Sequence, residues 1–240
     1  MKLYLYCLSD DAKLAGVEAM AGLGGARARV LDFGKIKAVA SDVESHQVKV
    51  TRENVLAHER VIDRVTLVTT PLPFRFGAVV TAEQLQSYVE SNEARLQALF
   101  DRVRGAVEMT VKIIRDESAA GHQGAEAAAQ KMGPEDEEAA GPGLAFLLAK
   151  RREMAAERES KSRAEEIARW LESGVAGLVR ESAVSARPAE RIVVSAAFLV
   201  ERGRVAEYRE RINALGCERK ELRFLTSGAW PPYSFTHLDS

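Results

Sequence analysis

His58-Glu59-Arg60-Val61-Ile62 opens like a zinc-binding His-Glu-x-x-His helix, in which two histidines four residues apart share one face and grip the metal between them. Ile62 stands where the second histidine is required, so the ligand pair is missing and zinc is rejected. Gly22-Leu23-Gly24-Gly25-Ala26-Arg27 invites comparison with a dinucleotide-binding loop. It lacks the third glycine and follows a predicted helix where such loops follow a strand, so it is read as a turn. His46, His122 and His237 fall in predicted loops with no Cys or acidic partner at ligand spacing. Neither a Gly-x-Ser-x-Gly elbow nor a phosphate-binding Gly-x-x-x-x-Gly-Lys-Ser/Thr loop occurs. The sequence therefore offers no catalytic, cofactor-binding or metal-binding residue.

Charge points the same way. Lys and Arg number 34 against 35 Asp and Glu, a net charge of −1, which removes the bulk electrostatic case for a polyanionic partner. Lys150-Arg151-Arg152, Arg158, Lys161, Arg163 and Arg169 form a locally basic stretch, but Glu153, Glu157, Glu159, Glu165 and Glu166 interleave with them. That pattern reads as a solvated, ion-paired helix. No aromatic residue lies between Phe146 and Trp170 to stack on bases, so nucleic acid is not expected as a partner. Nor is a membrane, since no apolar run approaches the ~18 residues a span requires. The opening Met1-Lys2-Leu3-Tyr4-Leu5-Tyr6 lacks a signal-peptide core, and two cysteines, Cys7 and Cys217, fit a reducing compartment; the expected location is the cytoplasm.

Two segments stand apart from ordinary loops. Thr69-Thr70-Pro71-Leu72-Pro73-Phe74-Arg75-Phe76-Gly77 places one guanidinium between two rings. Either Arg75 is a core ion paired with Glu59 or Glu108, or it forms an exposed binding knuckle. The structural reading is preferred, and it makes loss of Arg75 cost about 3–5 kcal/mol. Gly228-Ala229-Trp230-Pro231-Pro232-Tyr233-Ser234-Phe235 gathers three aromatics around a Pro-Pro pair, too apolar for a frayed tail. Either it folds back onto the second domain, the preferred reading, or Trp230, Pro231, Pro232, Tyr233 and Phe235 dock a partner.

The elements that position these segments follow from periodicity. A strand at Lys2–Leu8 is followed by a short helix to about Met20, begun at Ser9-Asp10-Asp11. Arg29–Phe33 and Ile36–Ser41 flank Gly34 as a hairpin. Thr51 opens a helix that ends near Thr66, Leu67–Thr70 reads as a short strand, and Thr81-Ala82-Glu83-Gln84 is a capping box opening the next helix. Val107, Met109, Val111 and Ile113 alternate with polar residues as a half-buried strand. The Ala-rich acidic stretch at about 116–141 is expected to be a mobile insertion. A long helix from about Pro142 to Val179, a weak strand at Ala183–Ala186, an apolar strand at Ile192–Val200, a helix closed by Gly216 and a strand at Leu222–Thr226 complete the chain. The fold class is α+β: an N-terminal α+β domain at 1–103, then a ferredoxin-like domain in β-α-β-β-α-β order at 104–240, ending in the aromatic segment 228–235.

In several of these segments the chain resembles the gas vesicle protein F and L family (GvpF/GvpL). The agreement runs through Tyr4-Leu5-Tyr6-Cys7, Lys37-Ala38-Val39-Ala40-Ser41, His58-Glu59 followed by Val61, the turn from Pro71 to Gly77 with Arg75, Phe76 and Gly77, and the ending from Gly228 to Phe235. The 119–140 stretch and Ala78, where a Thr is common, depart from the family pattern. The resemblance implies a non-enzymatic accessory protein of gas vesicle assembly that binds the small hydrophobic shell protein, with retention as a minor vesicle component and contact with other accessory proteins as further implications. It names no cofactor and does not separate an F-type from an L-type role. A second reading, an enzyme built around a small-molecule pocket in the ferredoxin-like domain, lacks a convergent polar constellation. A third, a scaffold whose charged helix pairs with another, lacks sustained apolar heptads between Lys150 and Arg169.

Overall fold

The computed structural model describes residues 2–11, 14, 16–115, 142–186 and 192–238. The predicted insertion at about 116–141 lies outside them. The fold is α+β, with two sheets and four α-helices among the described residues. Two compact units partition the chain. One comprises Met1–Met109, Phe198–Val205 and Ser227–Ser240, the other Thr110–Ala197 and Ala206–Thr226, so neither is one continuous stretch.

The first unit is built around β1 (Lys2–Ser9), which is buried along almost its whole length because it is central in its sheet. β2 (Ala28–Phe33) and β3 (Ile36–Val43) form the expected hairpin at Gly34, and β3 pairs antiparallel with β1. On the other side β1 pairs with β4 (Leu72–Pro73) and β5 (Val79–Thr81), both antiparallel. Two helices follow their sequence signals. In α1 (Arg52–Thr66) Thr51 Oγ1 accepts from Asn54 N–H at 3.2 Å, and α2 (Ala82–Val103) opens on the complete reciprocal cap of Thr81 and Gln84.

Two local expectations fail. No helix occupies the described residues between Asp10 and Met20. Ser9 Oγ accepts from Asp11 N–H at 3.1 Å, four-residue turns bond Val17 N–H to Leu14 O and Met20 N–H to Val17 O, and Gly16 is left-handed. The acidic start that looked like a helix entry is a serine turn instead. Leu67–Thr70 is not a strand either. The N–H groups of Leu67, Val68 and Thr69 bond back to Asp63 and Val65, so the β-branched run stays curled on the end of α1.

The second sheet has the order β7–β8–β6–β9, with β6 (Ala106–Arg115), β7 (Val179–Ser185), β8 (Ile192–Glu201) and β9 (Leu222–Trp230). The intervening helices are α3 (Pro142–Val175), which carries proline at its first position where the missing N–H costs nothing, and α4 (Val205–Glu218). Within the second unit Ala164, Ile167, Leu171 and Val175 of α3 and Tyr208, Ile212 and Leu215 of α4 are buried. Gly174 lets the two helices approach so closely that an added Cβ there would lie 2.8 Å from the Leu215 methyls. At the C-terminal end of α3, Trp170 stacks edge-on against Phe224 and carries the Arg219 guanidinium 5.3 Å from its ring centre.

A close fit in the first unit lies beneath Gly22. Tyr6 is fully buried, its hydroxyl 2.7 Å from Ser41 Oγ and accepting from Leu23 N–H at 2.8 Å. A Cβ on Gly22 would sit 2.0 Å from that hydroxyl and 2.6 Å from Ser41 Oγ, an overlap that backbone movement must relieve. Gly22→Ala should therefore lower unfolding stability by about 1–3 kcal/mol. In a Tyr6→Phe background, which lacks the hydroxyl, the same change should cost clearly less; urea unfolding of the four proteins of this cycle measures the difference.

Candidate functional site

The turn and the ending singled out by the sequence converge on the core of the first unit. Tyr4 and Tyr6 project from β1, His58 from the buried face of α1, and Phe76 from the turn, with Tyr4–Tyr6, Tyr4–His58, Tyr6–His58, Tyr4–Phe76 and His58–Phe76 centroids 5.1–6.0 Å apart. Tyr233 of the ending packs on the same cluster. The hydroxyl of Tyr4 shares a 2.8 Å hydrogen bond with His58 Nδ1 and accepts from Gly77 N–H at 3.3 Å. That one phenol holds β1, α1 and the turn together.

His58 is 1% exposed, and burial holds its pKa down to about 4, with the Phe74 backbone acting in the opposite sense. At neutral pH it is thus a neutral core imidazole. Among the described residues no group of three His, Cys, Asp or Glu side chains stands placed to hold a metal. Burial also raises the pKa of Tyr4, Tyr6, Cys7 and Tyr233, so these groups stay protonated. The Cys7 thiol is buried in this core.

The preferred reading of Arg75 is overturned. Its side chain is exposed, between Phe74, which is buried, and Phe76, which packs toward Tyr4 and His58. Glu59 is half-buried, its pKa raised by burial and then by Asp63, and forms no pair with Arg75. The rings on either side turn inward and the guanidinium turns out, because the apolar faces have a core to join and the cation has only water. Arg75 is left as the knuckle of the turn.

Glu108 serves the ending instead. Ser234 donates to its carboxylate twice, from N–H at 2.7 Å and from Oγ at 2.8 Å. Burial raises the Glu108 pKa, and these two hydrogen bonds act against that rise. Its position in β6 has the polar phase of the strand, so sequence periodicity expects it in water. It is 5% exposed because the ending covers it. Arg102 donates to Phe235 O at 3.1 Å, Arg95 to His237 O at 3.2 Å, and Thr236 Oγ1 to Pro232 O at 2.8 Å. Pro231, Pro232, Phe235 and Thr236 are buried. Thus the ending folds back, as preferred, but onto the first unit rather than with the residues that precede it. Gly228 makes the approach possible, since its φ is +120° and a Cβ would meet Glu108 O at 2.7 Å.

Trp230 differs from its neighbours. It remains 40% exposed, its indole N–H donating to Ser227 Oγ at 3.1 Å. Of the five residues expected at a partner site, it alone is classed as exposed; Tyr233 is half-buried against the core cluster.

A profile of gas vesicle synthesis protein GvpL/GvpF matches residues 2–237, nearly the whole sequence. The chain belongs to the GvpL/GvpF family. Similar proteins include gas vesicle protein L of a Streptomyces species, 27% identical with 98% of this chain and 92% of that protein covered. Gas vesicle protein F of the same organism is 28% identical, with 98% and 99% covered. These near-equal identities favour neither type. The crystal structure of GvpF from Anabaena has a TM-score of 0.79 at 22% identity, covering all of this chain and 97% of that one. That of GvpF from Microcystis aeruginosa has 0.77 at 20%, with 99% of both covered. The α+β fold of this GvpL/GvpF family member is therefore shared with both. No helix among its described residues is long and apolar enough to cross a membrane.

Two outcomes follow from the geometry. Arg75→Ala should leave urea-unfolding stability within about 0.5 kcal/mol of the parent, as for other exposed positions, while Glu108→Ala should cost about 2–4 kcal/mol by stranding the Ser234 donors. The second concerns pH. His58 has a folded pKa of about 4 against an ordinary 6.5, so the unfolded chain binds the proton first and stability drains away as pH falls from 6.5 toward 4. The raised pKa values of Glu59, Asp63 and Glu108 act with the opposite sign. His58→Gln should flatten the loss relative to the parent, and a parallel pH profile for the two proteins would contradict this assignment.

Proposed function

We propose that this GvpL/GvpF family member is a non-enzymatic assembly factor that binds the small hydrophobic gas vesicle shell protein and is carried as a minor component of the vesicle. Family membership supports a gas-vesicle-related role, and Trp230 carries the finer reading. A large aromatic held at the rim of an otherwise closed apolar segment, its indole fixed by Ser227, is the kind of rigid amphipathic anchor that protein interfaces use. An apolar shell subunit needs a partner that presents such contacts while shielding it from other copies. The same reading puts the protein in the cytoplasm at the vesicle, with other vesicle accessory proteins as further partners.

Arg75, exposed on the Pro71–Gly77 turn of the same unit, is a second candidate contact, whereas Tyr233, Pro231, Pro232 and Phe235 act by keeping the segment folded. The two roles separate experimentally. Tagged protein is co-expressed with the shell protein, captured, and resolved by size exclusion. Trp230→Ala should reduce captured shell protein by about tenfold, the loss typical of an aromatic anchor, with an unchanged melting temperature. Tyr233→Ala should lower the melting temperature first. Undiminished capture by the Trp230→Ala protein would remove the indole from the interface, and no capture by the parent, with shell protein present in solution, would remove the partnership.

A further inference from the structure

The N-terminal half of α3 carries an exposed combination of side chains. From residue 146 to 163 every side chain is exposed except Leu148 and Ser160, which are half-buried, and full burial begins only at Ala164. At a rise of 1.5 Å per residue this is about 27 Å of helix in which no side chain is fully buried among the described residues. It is held by its own composition and by ion pairs such as Lys150–Glu153 and Arg163–Glu159. Near its start Phe146 and Leu147 are 68% and 64% exposed, and Met154 is 44% exposed. Leu147, Arg151 and Met154 fall at i, i+4 and i+7, so two apolar side chains and one cation share a single stripe, with Phe146 beside it. Among the described residues Arg151 has no ion pair.

The first unit carries a cleft of matching character. Next to the turn at residues 23–25 an open cleft of about 620 Å³ is floored by Leu23, Val43 and Val48 and rimmed by Asp42, Glu44 and Lys49. Asp42 is bound by Arg29 at 2.6 Å, whereas among the described residues the Glu44 carboxylate has no hydrogen bond or ion pair, its backbone carbonyl accepting from Lys2 Nζ at 3.3 Å. An apolar floor with an unpaired acid on its rim is complementary to an apolar stripe with an unpaired base.

We propose that the α3 tip of one copy docks in the Leu23–Val43–Val48 cleft of a second copy, with Leu147 and Phe146 on the apolar floor and Arg151 paired with Glu44. The contact joins two different surfaces and is therefore heterologous. It is small, so self-association falls in the range of about 10 µM to 1 mM. It involves neither Trp230 nor the shell protein, and it stands or falls apart from the function proposed above.

Sedimentation of the full chain alone, from about 5 to about 500 µM, tests this directly. The weight-average mass should rise above that of the monomer across the range, and less so at high salt. Phe146→Ser with Leu147→Ser should abolish the rise while leaving the melting temperature unchanged, since both residues are exposed. Arg151→Glu and Glu44→Arg should each weaken association about tenfold, and the protein carrying both changes should recover it. A monomer at every concentration, association that survives the tip substitutions, or charge reversals that fail to rescue one another would each overturn the proposal.

Discussion

Two tyrosine hydroxyls buried in one strand set the terms for the first unit. A phenol taken out of water must find a partner, and β1 commits two of them, Tyr4 and Tyr6, to the same interior. Tyr6 finds Ser41 and the backbone at Leu23, which fixes the hairpin strand and the glycine turn. Tyr4 finds His58 and the backbone at Gly77, which fixes a helix and the Pro-rich turn. Satisfying two hydroxyls thus aligns four pieces of chain far apart in sequence. The neutral state of His58 belongs to the same arrangement, because burial penalises a charged imidazole in that interior.

Elements with strong local signals were legible in the sequence: the hairpin at Gly34, the capped starts of α1 and α2, the alternating strand β6, and the later strands and helices in their order. The misreadings share one cause. Ser9-Asp10-Asp11 carried helix-entry chemistry, yet Ser9 closed a turn, and Leu67–Thr70 had strand composition, yet its N–H groups were taken by the end of α1. Local preference lost to the nearest available acceptor in both cases.

At the candidate site, residue type was legible and side-chain direction was not. Arg75 between two rings looked like a core ion, and Glu108 looked like a surface residue of an amphipathic strand. They exchanged places because the ending, 126 residues beyond Glu108, brings the two Ser234 donors to the carboxylate. No pattern within a window can show a contact of that separation. Trp230 remains outside while Pro231, Pro232 and Phe235 go in, so the segment is at once a structural closure and the bearer of an exposed anchor.

The partition of the chain also fixes an order of manufacture. The first unit needs Phe198–Val205 and Ser227–Ser240, while the second is complete at Thr226. Because a ribosome builds from the N-terminus, the unit that begins the chain is the last to be finished. During synthesis β1 and its tyrosines emerge early and wait without Tyr233, and Glu108 waits without Ser234. The first unit therefore closes only once residues 227–238 are available: a chain broken off before residue 227 lacks Ser234, the double donor to Glu108.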